Sequence, residues 1–133
     1  MLKLEDFKAA KKRVDEVILP THLIHSDAFS EECGNDVYIK PENLQKTGAF
    51  KIRGAYNKIM KLDDEAKKKG LIASSAGNHA QGVAYAAKKL GVKATICMPA
   101  HTPLIKVDAT KAHGADVVLY GEDYDEAYEK AVE

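Results

Sequence analysis

The positions with side chains for chemistry are a lysine between two apolar residues, a loop of small polar residues, and five histidines. Lys51 lies between Phe50 and Ile52 in the run Glu42-Asn43-Leu44-Gln45-Lys46-Thr47-Gly48-Ala49-Phe50-Lys51-Ile52-Arg53-Gly54-Ala55. An amine flanked in this way, at a helix start following Gly48, can lose solvation, and its neutral form is then a nucleophile. The same pattern describes an amphipathic surface lysine whose stem rests on its apolar neighbours. The second candidate is Ser74-Ser75-Ala76-Gly77-Asn78-His79-Ala80-Gln81-Gly82, where a strand runs out and a helix begins. Small residues there allow close backbone approach to a ligand, and the free N–H groups of a helix start favour a carboxylate or phosphate. The plainer reading is a tight turn with Asn78 as the helix cap.

Several chemistries lack their residues. Gly77 and Gly82 have P-loop spacing, but Val83-Ala84 follows in place of Lys and Ser or Thr, and no G-x-G-x-x-G is present. His22 and His25 have i, i+3 spacing with no completing Cys, Asp or Glu constellation, so no metal site is expected among His22, His25, His79, His101 and His113. No G-x-S-x-G elbow supports acyl transfer.

The elements that must position these residues follow from periodicity. Leu71-Ile72-Ala73-Ser74, Ala94-Thr95-Ile96-Cys97-Met98 and Asp116-Val117-Val118-Leu119-Tyr120 begin about 22 residues apart, each followed by enough chain for a crossover helix. Their near-continuous apolar character predicts a parallel sheet covered on both faces. Gly70, Gly91 and Gly114 stand where left-handed caps would end helices, and Thr102-Pro103 offers a cap and first-turn proline to a helix reaching about His113. Ala80, Val83, Ala84, Ala87 and Leu90 mark the inner face of a helix from Asn78 to Leu90, and Ile52, Ala55, Tyr56 and Ile59 that of the helix after Lys51. Upstream, an amphipathic helix at about Leu4 to Val14 precedes a polar stretch and a short strand, Val37-Tyr38-Ile39-Lys40; Glu122 to Glu133 is helical in pattern. The fold class expected is α/β, an open parallel sheet flanked by helices and preceded by an N-terminal helical segment. Residues 1–45 form that segment, and 46–133 a small α/β domain lacking its C-terminal end.

Composition fits one soluble core. The 133 residues are 45% hydrophobic and 30% charged, with 20 basic and 20 acidic side chains. A net charge of zero argues against nucleic acid or an acidic membrane as partner. The seven acids from Asp116 onward and the run Lys67-Lys68-Lys69 are read as solvated helix surface. No apolar run approaches a membrane helix or signal core, and two unpatterned cysteines, Cys33 and Cys97, indicate a reducing, cytoplasmic setting.

Two linked motifs add what spacing alone does not. The run from Glu42 to Tyr56 resembles the cofactor-attachment segment of the threonine dehydratase family of fold-type II, pyridoxal 5′-phosphate-dependent enzymes. Ser74 to Gly82 is similar to that family's second signature, in the same order and at a matching distance. The similarity continues through Ala94-Thr95-Ile96-Cys97-Met98-Pro99 and His113-Gly114-Ala115-Asp116-Val117, from about Leu2 onward. The resemblance implies that Lys51 carries the cofactor as a Schiff base, that Asn78 reaches the 3′-oxygen of its ring, and that Phe50 lies near the ring. Ser75, Gly77, Asn78 and His79 would receive the substrate α-carboxylate. Ala49 stands where many relatives have Ser, an exchange of small residues.

The implied activity is dehydration and deamination of L-threonine, or L-serine, to 2-oxobutanoate, or pyruvate, and ammonia. Lys51 would act as base at the substrate Cα. Family enzymes are two to three times longer, and their glycine-rich phosphate cup has no counterpart here, so the 133 residues alone are expected to bind the cofactor weakly at most and not to turn over. The small-molecule partner is an amino acid, and a homo-oligomer, dimer or tetramer, is implied for the full-length protein. A related activity such as serine racemase, and a non-catalytic α/β binding module, are the alternative readings.

Overall fold

The computed structural model describes residues 1–133. Seven helices and five strands alternate along the chain, and the strands form two separate sheets. The larger sheet is parallel, in the order β3 (Leu71–Ser74), β4 (Ala94–Met98), β5 (Asp116–Leu119), with Ser74 opposite Cys97 and Met98 opposite Leu119. Three of the strand positions expected from sequence are met to within a residue.

One face of this sheet holds the core. Strand periodicity turns Ala94, Ile96 and Met98 of the central strand the same way. They share a cluster of buried residues with Ala80, Val83, Ala84 and Ala87 of α5 (Asn78–Leu90) and Ile52, Ala55, Tyr56 and Ile59 of α3 (Lys51–Met60). The alanines on α5 leave no bulk between the two helices, so α3 packs directly against it. Each large apolar side chain buried in this way contributes about 1.5–3 kcal/mol of transfer free energy. Short α4 (Asp64–Lys69) carries the lysine run on its last turn, and α6 (Leu104–Ala112) packs beside α5 and β5. The other sheet face meets α7 (Tyr124–Val132), whose Ala127 is fully buried.

Coverage of both sheet faces is complete only at β4. The outer strands β3 and β5 keep Ile72 62% and Leu119 43% exposed, each having a strand neighbour on one side only. Two local expectations also change. Thr102 does not cap α6: Pro103 is the capping position, no side chain caps it, and the buried Thr102 hydroxyl has no partner. Gly91 is a left-handed cap, whereas Gly70 combines a φ of 90° with extended ψ, a turn into β3 in which its own N–H reaches back to the Lys67 carbonyl.

The N-terminal part is built differently. Helix α1 (Leu4–Val14) has acids in its first turn and bases in its last, matching the helix dipole. Only its end, Val14, joins the core, together with Val17. The polar stretch contains more structure than its composition suggests: β1 (Ile24–His25) pairs antiparallel with β2 (Tyr38–Ile39), and α2 (Asp27–Cys33) lies between them. Helix α2 is capped by Ser26, whose hydroxyl accepts from the Phe29 N–H, and by Gly34 in the left-handed conformation. A 3-10 turn, Glu42–Leu44, then leads to Lys51.

Candidate active site

The two motifs meet at the carboxyl end of β3. After Ser74 the chain stays in register for one more residue, Ser75 N–H donating to the Cys97 carbonyl at 3.1 Å, and then turns into α5. Gly77 is the capping position of α5, and no side chain occupies its first N–H groups. Asn78 is therefore the first helical residue and is exposed, which overturns its reading as the cap. The Gly77 N–H lies 3.4 Å from the Ser75 hydroxyl, folding the loop on itself. The hydroxyl of Ser74 is buried without a partner. This end of the sheet thus presents free backbone donors and one unused hydroxyl, the equipment of an anion site.

Lys51 is delivered to this loop by close backbone packing. A Cβ on Gly82 would lie 3.1 Å from the Lys51 carbonyl carbon and 3.2 Å from the Ile52 nitrogen. Only a residue with no side chain lets α5 seat against the first turn of α3 at this distance. Asn78 is one turn before Gly82 on the same helix face, so the contact that fixes Lys51 also fixes Asn78 nearby. His79 follows. Partial burial, and after it the Lys51 charge, push the His79 imidazole below its ordinary value, which favours a neutral ring near neutral pH. His79 also reaches an apolar cleft between α3, α5 and β3, lined by Ala55, Ile59, Leu71 and Val83.

The Lys51 ammonium sits 5.0 Å from the centroid of the Phe50 ring, a cation–π distance. Both residues are exposed, so the desolvation expected from flanking Phe50 and Ile52 is not provided within these 133 residues; Ile52 turns inward and is fully buried. Lys51, Phe50, Ser75, Gly77, Asn78 and His79, the site residues expected from sequence, all lie at one end of the parallel sheet. Sequence alone assigns no role to Gly82 and does not single out Glu42 and Arg53. A signal for Gly82 is nevertheless there: a glycine inside a helix, costing stability by propensity, usually marks close packing.

Two of the other histidines, His25 and His113, make structural contacts. His25 lies 3.0 Å from Asp27 through Nδ1 and 3.2 Å from the Ser30 hydroxyl through Nε2, the contacts of a Ser-His-Asp triad. Ser30 already accepts the Val37 N–H at 2.9 Å, and Asp36 lies 3.8 Å from the same ring nitrogen. Carboxylates on both sides of the ring oppose a developing oxyanion, so this network ties α2 to the small hairpin. His113 packs edge-on to Tyr85. Burial pushes the Cys97 thiol up, keeping it protonated and unreactive.

Comparison with known proteins agrees with this geometry. Residues 14–133 match the model of the family described as "Pyridoxal-phosphate dependent enzyme". The chain is 53% identical over 132 residues to an L-threonine ammonia-lyase of Thermotoga maritima, covering 99% of this chain and 33% of that protein. Among solved structures it superposes on a T.th. threonine deaminase with a TM-score of 0.86 at 43% identity, covering 98% of this chain and 41% of that one. Maize serine racemase gives a TM-score of 0.92 at 34% identity, with 98% and 40% covered. The chain belongs to the pyridoxal-phosphate dependent enzyme family. It spans about a third of the length of curated L-threonine ammonia-lyases that it matches.

Proposed function

We propose that this chain provides the cofactor-bearing lysine and the substrate-carboxylate loop of an ammonia-lyase acting on L-threonine and L-serine. The observation that carries the reading is the seat of Gly82 on the Lys51–Ile52 backbone, which brings the two motifs to one place. The residues fit the cofactor: an exposed primary amine, an aromatic ring beside it, and free donors at the start of α5. Lys51 would hold the group covalently, with Phe50 against it and Asn78 toward its ring oxygen. When bound, pyridoxal phosphate supplies an electron-accepting ring that makes the substrate Cα–H acidic.

The chain's own residues do the rest. The N–H groups at the start of α5, with Ser75, Gly77, Asn78 and His79, bind the α-carboxylate and orient Cα toward Lys51. A neutral His79 donates one hydrogen bond without adding a proton to the site. Displaced by the substrate amine from the group it holds, the uncharged Lys51 Nζ would take the proton from Cα. One water is lost from Cα and Cβ and one is regained on hydrolysis, so threonine gives 2-oxobutanoate and ammonia, and serine gives pyruvate and ammonia. Groups for the cofactor phosphate are to be sought in the two-thirds of the relatives' length that this chain does not match. Residues 1–45 go with that larger part, 46–133 form the small domain, and the full-length protein works in the cytoplasm as a dimer or tetramer. No helix here is long and apolar enough to cross a membrane.

In the full-length protein, Lys51→Ala is expected to abolish 2-oxobutanoate release from L-threonine. Borohydride reduction of the unmodified protein should leave a pyridoxyl tag on the peptide containing Lys51. A tag on another peptide, or undiminished turnover in the variant, removes the assignment. The second reading, serine racemase, is favoured by the TM-score of 0.92 to that fold. Chiral analysis of the product from L-serine decides: D-serine as the main product selects the racemase.

A further inference from the structure

We propose that Glu42 and Arg53 form a positioning couple that holds the first turn of α3 in place independently of Gly82, and so sets where Lys51 Nζ stands relative to the Ser75–His79 loop. The inference rests on the proposed role of Lys51. Glu42 accepts a fork from Arg53, Nε to Oε2 at 2.8 Å and an Nη to Oε1 at 2.7 Å. The same carboxylate accepts the Thr21 hydroxyl at 2.6 Å and has Lys40 at 4.0 Å. It therefore ties together the 19–21 segment, the 3-10 turn and the helix that begins at Lys51.

Helix geometry gives the pair its direction. Arg53 leaves α3 two residues after Lys51, roughly 200° around the axis. Its guanidinium can anchor the helix without crowding the lysine. Gly82 bears on the Lys51–Ile52 backbone, and Glu42 pulls on the same turn through Arg53. Between the two grips runs the 45–50 turn, closed by Gly48 N–H to the Gln45 carbonyl at 2.8 Å and fixed at its start by Gln45, whose amide takes both backbone groups of Leu19. With Glu42 or Arg53 removed, α3 keeps its apolar seat through Ile52, Ala55 and Ile59, but its first turn can tilt. A tilt there displaces Nζ at the end of a long side chain while leaving the carboxylate loop on β3 and α5 undisturbed. Proton abstraction then suffers more than substrate binding.

The test uses the full-length protein with L-threonine and compares Glu42→Gln, Arg53→Lys, the double variant Glu42→Gln/Arg53→Gln and Lys51→Ala. Glu42→Gln should lower kcat by about tenfold to a hundredfold, with KM within about threefold of the unmodified value. Visible absorbance per folded chain should be retained, and the pH midpoint of that absorbance should move. Arg53→Lys keeps the charge but loses the fork, and should fall between. The double variant should be no worse than Glu42→Gln, since both changes break one contact. Should Glu42→Gln fail to fold, Glu42→Asp, one methylene short of the fork, takes its place with the same expectations. An unchanged kcat, a loss matching only the loss of cofactor-loaded protein, or losses that multiply in the double variant would overturn the positioning role. Turnover surviving in Lys51→Ala sinks the parent reading instead, whatever the Glu42 variants do.

Discussion

The two parts of the molecule are held by different forces. From Lys51 onward, helices and strands bury Ile52, Ile59, Ile96, Met98 and Val107 against one another, and few polar side chains join distant elements. Before it, only Val14, Val17 and Ala49 are buried apolar residues, and the chain is stitched by side-chain hydrogen bonds. Gln45 holds Leu19, Glu42 holds Thr21 and Arg53, and Arg13 holds Asn57. Lys51 lies at the junction. Its own helix is fastened by apolar packing on one side and by a polar clamp on the other, so rigidity comes from the core and exact placement from the stitches.

The sharpest break in this contrast should come from the core. Ile96 is fully buried at the centre of the only strand covered on both faces. Ile96→Ala is expected to lower stability by about 2–5 kcal/mol, the lost transfer energy plus the cavity. The urea midpoint measures it, and a loss below about 1 kcal/mol would mean that the core collapses around the site more easily than its packing suggests.

The contrast also explains what could be read from the residues alone. Apolar packing leaves a period. Ile52, Ala55, Tyr56 and Ile59 recur at helical spacing, and all four are buried. The strands at Leu71, Ala94 and Asp116 are visible for the same reason. Polar stitching leaves none: nothing in the spacing of Glu42 and Arg53, or of Leu19 and Gln45, announces a contact, since it depends on where a loop returns. The small hairpin of β1 and β2 is half hidden because two-residue strands are too short to show alternation. At the site, Lys51 and the 74–82 loop are legible as motifs, while the reason they meet, Gly82 against a backbone, requires the packing of two helices. Thr102 misleads because a cap depends on loop geometry as well as residue type.

On the polar side the largest effect should come from Gln45, which is 4% exposed and satisfies both backbone groups of Leu19. Gln45→Ala removes both of these part-buried hydrogen bonds, at a cost of about 1–3 kcal/mol. Restoration of stability by Gln45→Glu would contradict the clamp, because a carboxylate cannot donate to the Leu19 carbonyl.

A smaller effect distinguishes the ion pair by its pH dependence. The Arg53 fork, with help from Thr21, holds the Glu42 carboxyl down at about 2 from an ordinary 4.5. A folded value below the unfolded one means that the pair stabilises fully above the unfolded value and is lost as pH falls through about 2. Glu42→Gln should therefore cost about 1–2 kcal/mol near neutral pH and nothing at the acid end, flattening the acid limb of the urea-midpoint profile. A constant offset between the two profiles would show that shape, not charge, is what the carboxyl supplies.

The smallest effect tests whether it is stitching, rather than charge alone, that organises the N-terminal part. Lys11 and Asp15 pair one turn apart on α1, with side chains 73% and 47% exposed and neither fixed by a third group. Such a pair exchanges hydration for a contact that salt screens, so Lys11→Ala should change stability by no more than about 0.5 kcal/mol, less still at high salt. Glu42 differs in having three donors from two other segments, which restrict it before any one bond is counted. If Lys11→Ala cost as much as Gln45→Ala, surface charge on α1 would rank with the buried amide as a fastening, and the division between a packed half and a stitched half would no longer describe the chain.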